Sequence, residues 1–169
     1  SGGTFANLPI GQGMSWTALQ MASVFQTLAN GGERIEPRII SRITGPDGEE
    51  LDQQEPATTR VVSPETARTT VDMFRATFQE DPNGIQNGTA QGNSIEGYQL
   101  SGKTGTAQKV DEDTGAYSQS RYWITFAGVA PADDPRFVVA IMLDEPQRGP
   151  LEGGAAAHGE PVAGGPAPG

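Results

Sequence analysis

The chain has 169 residues, which suits a single domain, and its 21 acidic against 11 basic residues give a formal charge of −10. This charge argues against nucleic acid as a partner, because a phosphate backbone is bound by basic surfaces. With no cysteine and one histidine, disulfides, thiolate chemistry and a dedicated metal cluster are excluded, and we predict no cofactor.

Two helices are predicted in the first half of the chain. Thr17 and Gln20 form a capping-box pair ahead of an apolar helical stripe that stops at Asn30. Ser63 as N-cap and Pro64 at the first helical position begin the second helix. The buried stripe of this second helix is Ala67, Val71, Phe74 and Phe78. We interpret both helices as packing elements without chemistry.

The segment between these helices shows strand and turn patterns. Residues 38–44 alternate, which predicts a strand with Ile39 and Ile43 facing inward. The tight-turn sequence at 45–48 then predicts a surface hairpin. A further short strand is predicted at 60–62.

The most informative stretch is 97–108, which reads GYQLSGKTGTAQ and contains Lys103, one of only two lysines in the chain. From Gly97 it satisfies G-x-x-x-x-G-K-[ST], the phosphate-binding loop of nucleotide hydrolases. Such a loop needs a buried strand before it and a helix from its lysine onward, whereas the flanks here are polar and lack a helical period. We therefore favour an extended strand through Thr106.

The rest of the chain predicts a meander of three antiparallel strands. Residues 109–121 are interpreted as a polar connection in which the acidic run 111–113 is a solvated loop. Strands are predicted at 122–130 and 137–143. The last strand is apolar on both faces, so we predict that it lies in the middle of the sheet with cover on each side.

The end of the chain, 151–169, is rich in Gly, Ala and Pro and is predicted to be disordered, because it cannot bury enough apolar area to offset its ordering entropy. His158 lies in this tail, so we expect no catalytic role for it. No apolar run is long enough to span a bilayer. Because the chain begins at Ser1 without a methionine, we interpret it as a processed piece, an engineered segment or a fragment.

Six short motifs occur in order along the chain: GQG at 11–13, ANGG at 29–32, SPETA at 63–67, GTA at 88–90, GKTGTAQ at 102–108 and FAGVAP at 126–131. Their order and spacing resemble the C-terminal half of the transpeptidase domain of class B penicillin-binding proteins, most of all the cell-division enzymes of actinobacteria. The resemblance implies a β-lactamase/transpeptidase-like α/β (α+β) fold, in which an antiparallel sheet is flanked by helices. That fold would be incomplete here, with 1–150 as the C-terminal part of the domain and 151–169 as the tail.

The resemblance also implies a function. The family cross-links peptidoglycan by acyl transfer from a stem peptide that ends in D-Ala-D-Ala, and β-lactams acylate it. Lys103, Thr104 and Thr106 would bind the donor carboxylate, and Gly105 would let the substrate approach the strand closely. The backbone N–H of Thr106 would be one donor of the oxyanion hole. The resemblance places the parent protein, membrane-anchored, on the extracytoplasmic face of the bacterial cytoplasmic membrane, with cell-division proteins as partners.

Two signatures that this family needs are missing. S-x-x-K supplies its nucleophile and S-x-N its proton shuttle. With lysines only at 103 and 109, S-x-x-K would need serine where Leu100 and Thr106 stand, and no serine is followed two residues later by asparagine. We therefore predict that this chain alone has no catalytic serine nucleophile and is inactive, and that its partner is the missing N-terminal half of the domain. It should expose apolar surface and an unpaired strand edge.

Two other functions stay open at this point. The first is a nucleotide hydrolase that uses 97–104 as a phosphate loop, which ATP-dependent thermal stabilisation would reveal. The second is a noncatalytic module that holds a peptide or a division partner on the same edge strand. Peptide binding that survives Lys103→Ala would favour this second alternative.

Overall fold

In a computed structural model of the chain, the structure describes residues 15–51 and 55–147. The elements follow in this order: α1 (Ala18–Ala29), β1 (Glu33–Ile35), β2 (Thr58–Arg60), α2 (Pro64–Phe74), a 3-10 helix (Arg75–Phe78), β3 (Ser101–Val110), β4 (Tyr117–Ala130) and β5 (Phe137–Asp144). None of the helices in these ranges combines the length and apolarity needed to cross a membrane. The motif at 11–13 and the tail at 151–169 with His158 lie outside the described residues.

Both predicted helices are observed, and each begins where its cap places it. Thr17 Oγ1 accepts the N–H of Gln20, and the Gln20 side chain accepts the N–H of Thr17. A cap of this kind contributes on the order of 1 kcal/mol. Ser63 Oγ accepts the N–H of Thr66 at the start of α2. Phe78, predicted as part of the same stripe, lies in the 3-10 helix.

The strand predicted at 38–44 is wrong. The short two-stranded sheet is formed instead by β1 and β2, which pair antiparallel, and Ile39 is 97% exposed. The hairpin turn does form, because the Gly48 N–H donates to the Gly45 carbonyl at 3.0 Å and one isolated bridge joins the flanking residues. Alternation misled here because no strand among the described residues pairs with 38–43.

The meander predicted for the second half is confirmed, with strand order β3-β4-β5. The sequence predicts a polar connection at 109–121, but β3 and β4 extend into this segment. Val110 pairs with Tyr117, so the hairpin is longer than predicted. Polar residues extend these strands because they bond across the hairpin. Arg121 contacts the Asp111 carboxylate at 3.1 Å. Asp111 of the predicted solvated loop is therefore part of the hairpin end.

The prediction that the last strand lies mid-sheet is wrong for the described residues, since β4 is central and β5 lies at an edge. The two apolar faces of β5 have different environments. Val138 packs toward the helices, against the core residues Val71 and Val129. The opposite face is exposed at four residues, Phe137, Val139, Ile141 and Leu143. The described part of the chain thus presents the apolar surface that the sequence predicts.

The core between the helices and the sheet holds the beginning of β3 in place. Its buried residues Val71, Val129 and Ala132 are surrounded by partly buried apolar side chains of α1 and β5. Ser101, the first residue of β3, is 1% exposed, and its hydroxyl donates to the Val71 carbonyl at 2.6 Å. A buried bond of this kind ties β3 to α2 two residues before Lys103.

Candidate functional site

The K-T-G-T segment lies in β3, an edge strand of the described three-stranded sheet. Lys103 stands opposite Ala127 of β4, and Thr106 stands opposite Ile124. A phosphate-binding loop requires a helix that begins at Lys103 and Thr104. Because these residues are extended and pair antiparallel, the nucleotide hydrolase hypothesis is wrong.

Backbone groups of this segment point away from the sheet at every second residue. Thr77 Oγ1 of the 3-10 helix donates to the Gly102 carbonyl at 2.6 Å, so Gly102 faces away from β4. In an antiparallel strand, the N–H and C=O of one residue point to the same side, and residues two positions apart share that side. The backbone N–H and C=O groups of Thr104 and Thr106 therefore also face the open edge. Thr106 thus presents its N–H at the open edge, and its role as an oxyanion-hole donor stays a prediction.

The side chains at this edge are suited to hold an anion. Lys103 and Thr106 are exposed and Thr104 is half-buried. The Lys103 ammonium donates to the Thr104 carbonyl at 2.7 Å, and within the described ranges no carboxylate lies close enough to pair with it. One ammonium and two hydroxyls beside outward backbone groups are a donor set for a carboxylate on an extended peptide.

Thr89 is a neighbour of this site that the sequence reasoning did not single out. Its hydroxyl oxygen lies 2.7 Å from that of Thr104. The loop that carries it is fixed on the 3-10 helix, because the Ala90 N–H donates to the Thr77 carbonyl at 2.8 Å. A Cβ on Gly88 would lie 2.2 Å from that same carbonyl oxygen, so only glycine fits there. The available signal was the GTA motif at 88–90.

Gly105 has a close neighbour within the protein itself. A Cβ built on it would lie 2.5 Å from Thr125 Oγ1 of β4, to which it stands directly opposite. The nearest obstacle to a side chain at this position is therefore across the sheet. The resemblance implies that Gly105 lets the substrate approach the strand closely, and this role stays a prediction.

We expect Gly105→Ala to destabilise the chain by about 1–3 kcal/mol, the usual cost of overpacking, because Thr125 has to move. Denaturant unfolding of the chain measures this cost. Removing the obstacle with Thr125→Ala in the same background should recover most of the loss, and Thr125→Ala alone is the matched control. An unfolding free energy of Gly105→Ala within about 0.5 kcal/mol of the parent would contradict the clash.

The second lysine has a different environment from Lys103. Lys109 pairs with Asp144 and, at 2.8 Å, with Glu145, and its ammonium lies 4.2 Å from the centre of the Trp123 ring. Hydrogen bonds to Asp144 and then to Glu145 raise the pKa of Lys109 above its ordinary 10.5. Lys109 thus links β3 to the end of β5 across β4.

Comparisons with known proteins agree with this arrangement. The profile described as the penicillin binding protein transpeptidase domain matches residues 2–163. The chain is 56% identical over 148 residues to penicillin-binding protein PbpB of Mycolicibacterium smegmatis, covering 88% of this chain and 23% of that protein. It is 33% identical over 150 residues to the peptidoglycan D,D-transpeptidase FtsI of Escherichia coli, covering 89% of this chain and 22% of FtsI. The chain thus spans less than a quarter of these relatives.

Among solved structures, the chain is similar to crystal structures of penicillin-binding protein 3 of Mycobacterium tuberculosis. The aztreonam complex superimposes with a TM-score of 0.83 at 53% identity, covering 88% of this chain and 33% of that one. The antiparallel sheet with its flanking helices is therefore part of that fold. Together with the profile match over nearly its whole length, this shows that the chain belongs to the transpeptidase domain family of penicillin-binding proteins.

Proposed function

We propose that this chain forms the substrate-binding wall of a peptidoglycan D,D-transpeptidase. The observation that carries the proposal is the open edge of β3. There an exposed Lys103 stands beside Thr104 and Thr106, whose backbone groups face away from β4. An extended peptide adds to such an edge through main-chain hydrogen bonds.

The donor in this proposal is a stem peptide that ends in D-Ala-D-Ala. Its terminal carboxylate is attracted by the Lys103 ammonium and accepts hydrogen bonds from the hydroxyls of Thr104 and Thr106. When a nucleophile attacks the penultimate carbonyl, the oxygen of that carbonyl becomes negative, and the Thr106 N–H stabilises it. One donor of this kind lowers the barrier by about 3 kcal/mol.

β-Lactams occupy the same edge in this proposal. The crystal structures of penicillin-binding protein 3 of M. tuberculosis to which this chain is similar include complexes with aztreonam and ampicillin. A β-lactam offers an anionic group beside a reactive carbonyl, which matches the ammonium, hydroxyls and outward N–H of β3.

The attacking serine comes from outside this chain in our proposal, because the sequence contains neither S-x-x-K nor S-x-N. The exposed apolar face of β5 is where the rest of the domain docks, since exposed apolar surface of this kind marks an interaction site. The isolated chain is then inactive. In our proposal the parent protein works at the extracytoplasmic face of the membrane together with division proteins, which the resemblance to cell-division penicillin-binding proteins implies.

A fluorescent penicillin tests this proposal. It is added to the isolated chain and to the complete protein that contains it, and each is examined for a covalent adduct by denaturing electrophoresis and peptide mass mapping. We expect stoichiometric labelling of the complete protein, on a serine outside these 169 residues, and no labelling of the isolated chain. Stoichiometric labelling of the chain alone would refute the external nucleophile, and an unlabelled complete protein would refute the transpeptidase.

A further inference from the structure

The contact between Thr89 and Thr104 joins a loop to the substrate-binding strand. The two hydroxyl oxygens are 2.7 Å apart, and either can be the donor. This is the usual distance of an O–H···O hydrogen bond. Thr89 is otherwise exposed to solvent.

A hydroxyl has one proton to donate, whereas an ionised carboxylate only accepts. If Thr104 donates its proton to a substrate carboxylate, its bond with Thr89 persists only when Thr89 donates to the Thr104 oxygen. The resulting chain runs from Thr89 through Thr104 to the carboxylate. Each hydrogen bond in such a chain polarises and strengthens the next.

The position of Thr89 is held by backbone bonds on both sides of it. Gly88 donates to the Gln79 carbonyl and Ala90 to the Thr77 carbonyl, each at 2.8 Å. The Thr77 hydroxyl in turn donates to Gly102 of β3 at 2.6 Å. The loop and the strand are therefore fixed relative to each other through Thr77, which binds β3 just before the open edge begins.

We propose that Thr89 is a positioning residue that fixes the Thr104 hydroxyl as a donor toward the carboxylate of the stem peptide or β-lactam, an inference that rests on the proposed function. Thr89 itself does not touch the substrate. Its contribution is made before the covalent step, in the binding of the anion. It therefore acts on the dissociation constant of the initial complex and leaves the rate constant of acylation nearly unchanged.

The test is a double-mutant cycle in the complete protein, with benzylpenicillin as the probe. Acylation is followed by stopped flow, which separates the dissociation constant from the acylation rate constant. We expect Thr89→Val to raise the dissociation constant about 3- to 10-fold, the loss of roughly one hydrogen bond. Thr89→Ser, which keeps the hydroxyl, should stay within about twofold of the parent.

Coupling to Thr104 distinguishes positioning from a merely structural role. In a Thr104→Val background, Thr89→Val should cause no further loss, because the hydroxyl it acts through is gone. Thr70→Val is the matched control, since the Thr70 hydroxyl bonds only within α2, and it should not change binding.

Three outcomes would overturn the inference. These are a Thr89→Val protein that binds like the parent, one whose loss is the same in both backgrounds, and a loss that Thr89→Ser fails to restore. Failure of the parent protein itself to be acylated would instead remove the proposed function, and this inference with it.

Discussion

Replacing Thr106 by proline is expected to lower the acylation of the complete protein by penicillin about 10²- to 10³-fold, the usual effect of losing one oxyanion-hole donor. Proline has no backbone N–H, and it is tolerated in an edge strand where that N–H faces outward. Because Thr106 faces the open edge, the pairing of β3 with β4 should survive. The measurements are the acylation rate and the melting temperature.

Two variants control this experiment. Thr106→Val keeps the N–H and removes only the hydroxyl, so it should lose less activity than the proline variant. Ala107→Pro removes an N–H that faces β4 and should unfold the sheet, since a ladder bond is lost. If Thr106→Pro folds and is acylated at the parent rate, the outward N–H of Thr106 has no part in the oxyanion hole.

Lys103→Gln is expected to slow acylation of the complete protein about 10- to 100-fold, the cost of losing a hydrogen bond from a charged donor. The ammonium is exposed, and its observed hydrogen bond is to the Thr104 carbonyl, so a substrate carboxylate displaces no ion pair within the described residues. The rate is best measured at low and at high salt, because the loss should shrink as salt screens the charge.

Lys109→Gln is the matched control, since these are the only two lysines of the chain. Lys109 is paired with Asp144 and Glu145, so its loss should loosen the end of the hairpin. Because Lys109 lies six residues beyond Lys103 along β3, its substitution should change acylation by no more than about twofold. Equal losses in the two variants would mean that general charge, and not the position of Lys103, attracts the substrate.

Local signals in the sequence predicted the helices and the strand that carries the site. A capping side chain acts within one helical turn, so Thr17 and Ser63 mark the helix starts without help from the rest of the fold. The polar flanks of the K-T-G-T segment likewise argued against a phosphate loop. Pairing between distant segments decided the sheet. Alternation at 38–44 therefore did not produce a strand, and apolarity at 137–143 did not place that strand in the middle of the sheet.

The neighbours of the site could not be predicted from local sequence patterns. Thr89 lies fifteen residues before Thr104, and Thr125 lies twenty residues after Gly105. Nothing in the spacing of these residues shows that they touch. Their contacts exist because the 3-10 helix lies along the edge of β3, and because β4 folds back on β3 in one register.

By itself, the amino-acid sequence determined the helix starts, the extended K-T-G-T strand and the lack of a S-x-x-K serine, since each depends on residues close together in the chain. It also determined the family, through the order and spacing of six short motifs. The tertiary structure alone decided which strand is central, which backbone groups of β3 face the open edge, and which hydroxyl meets Thr104. These depend on strand register and on packing between distant segments, and a shift of one residue in register would reverse every side chain and backbone group of the strand.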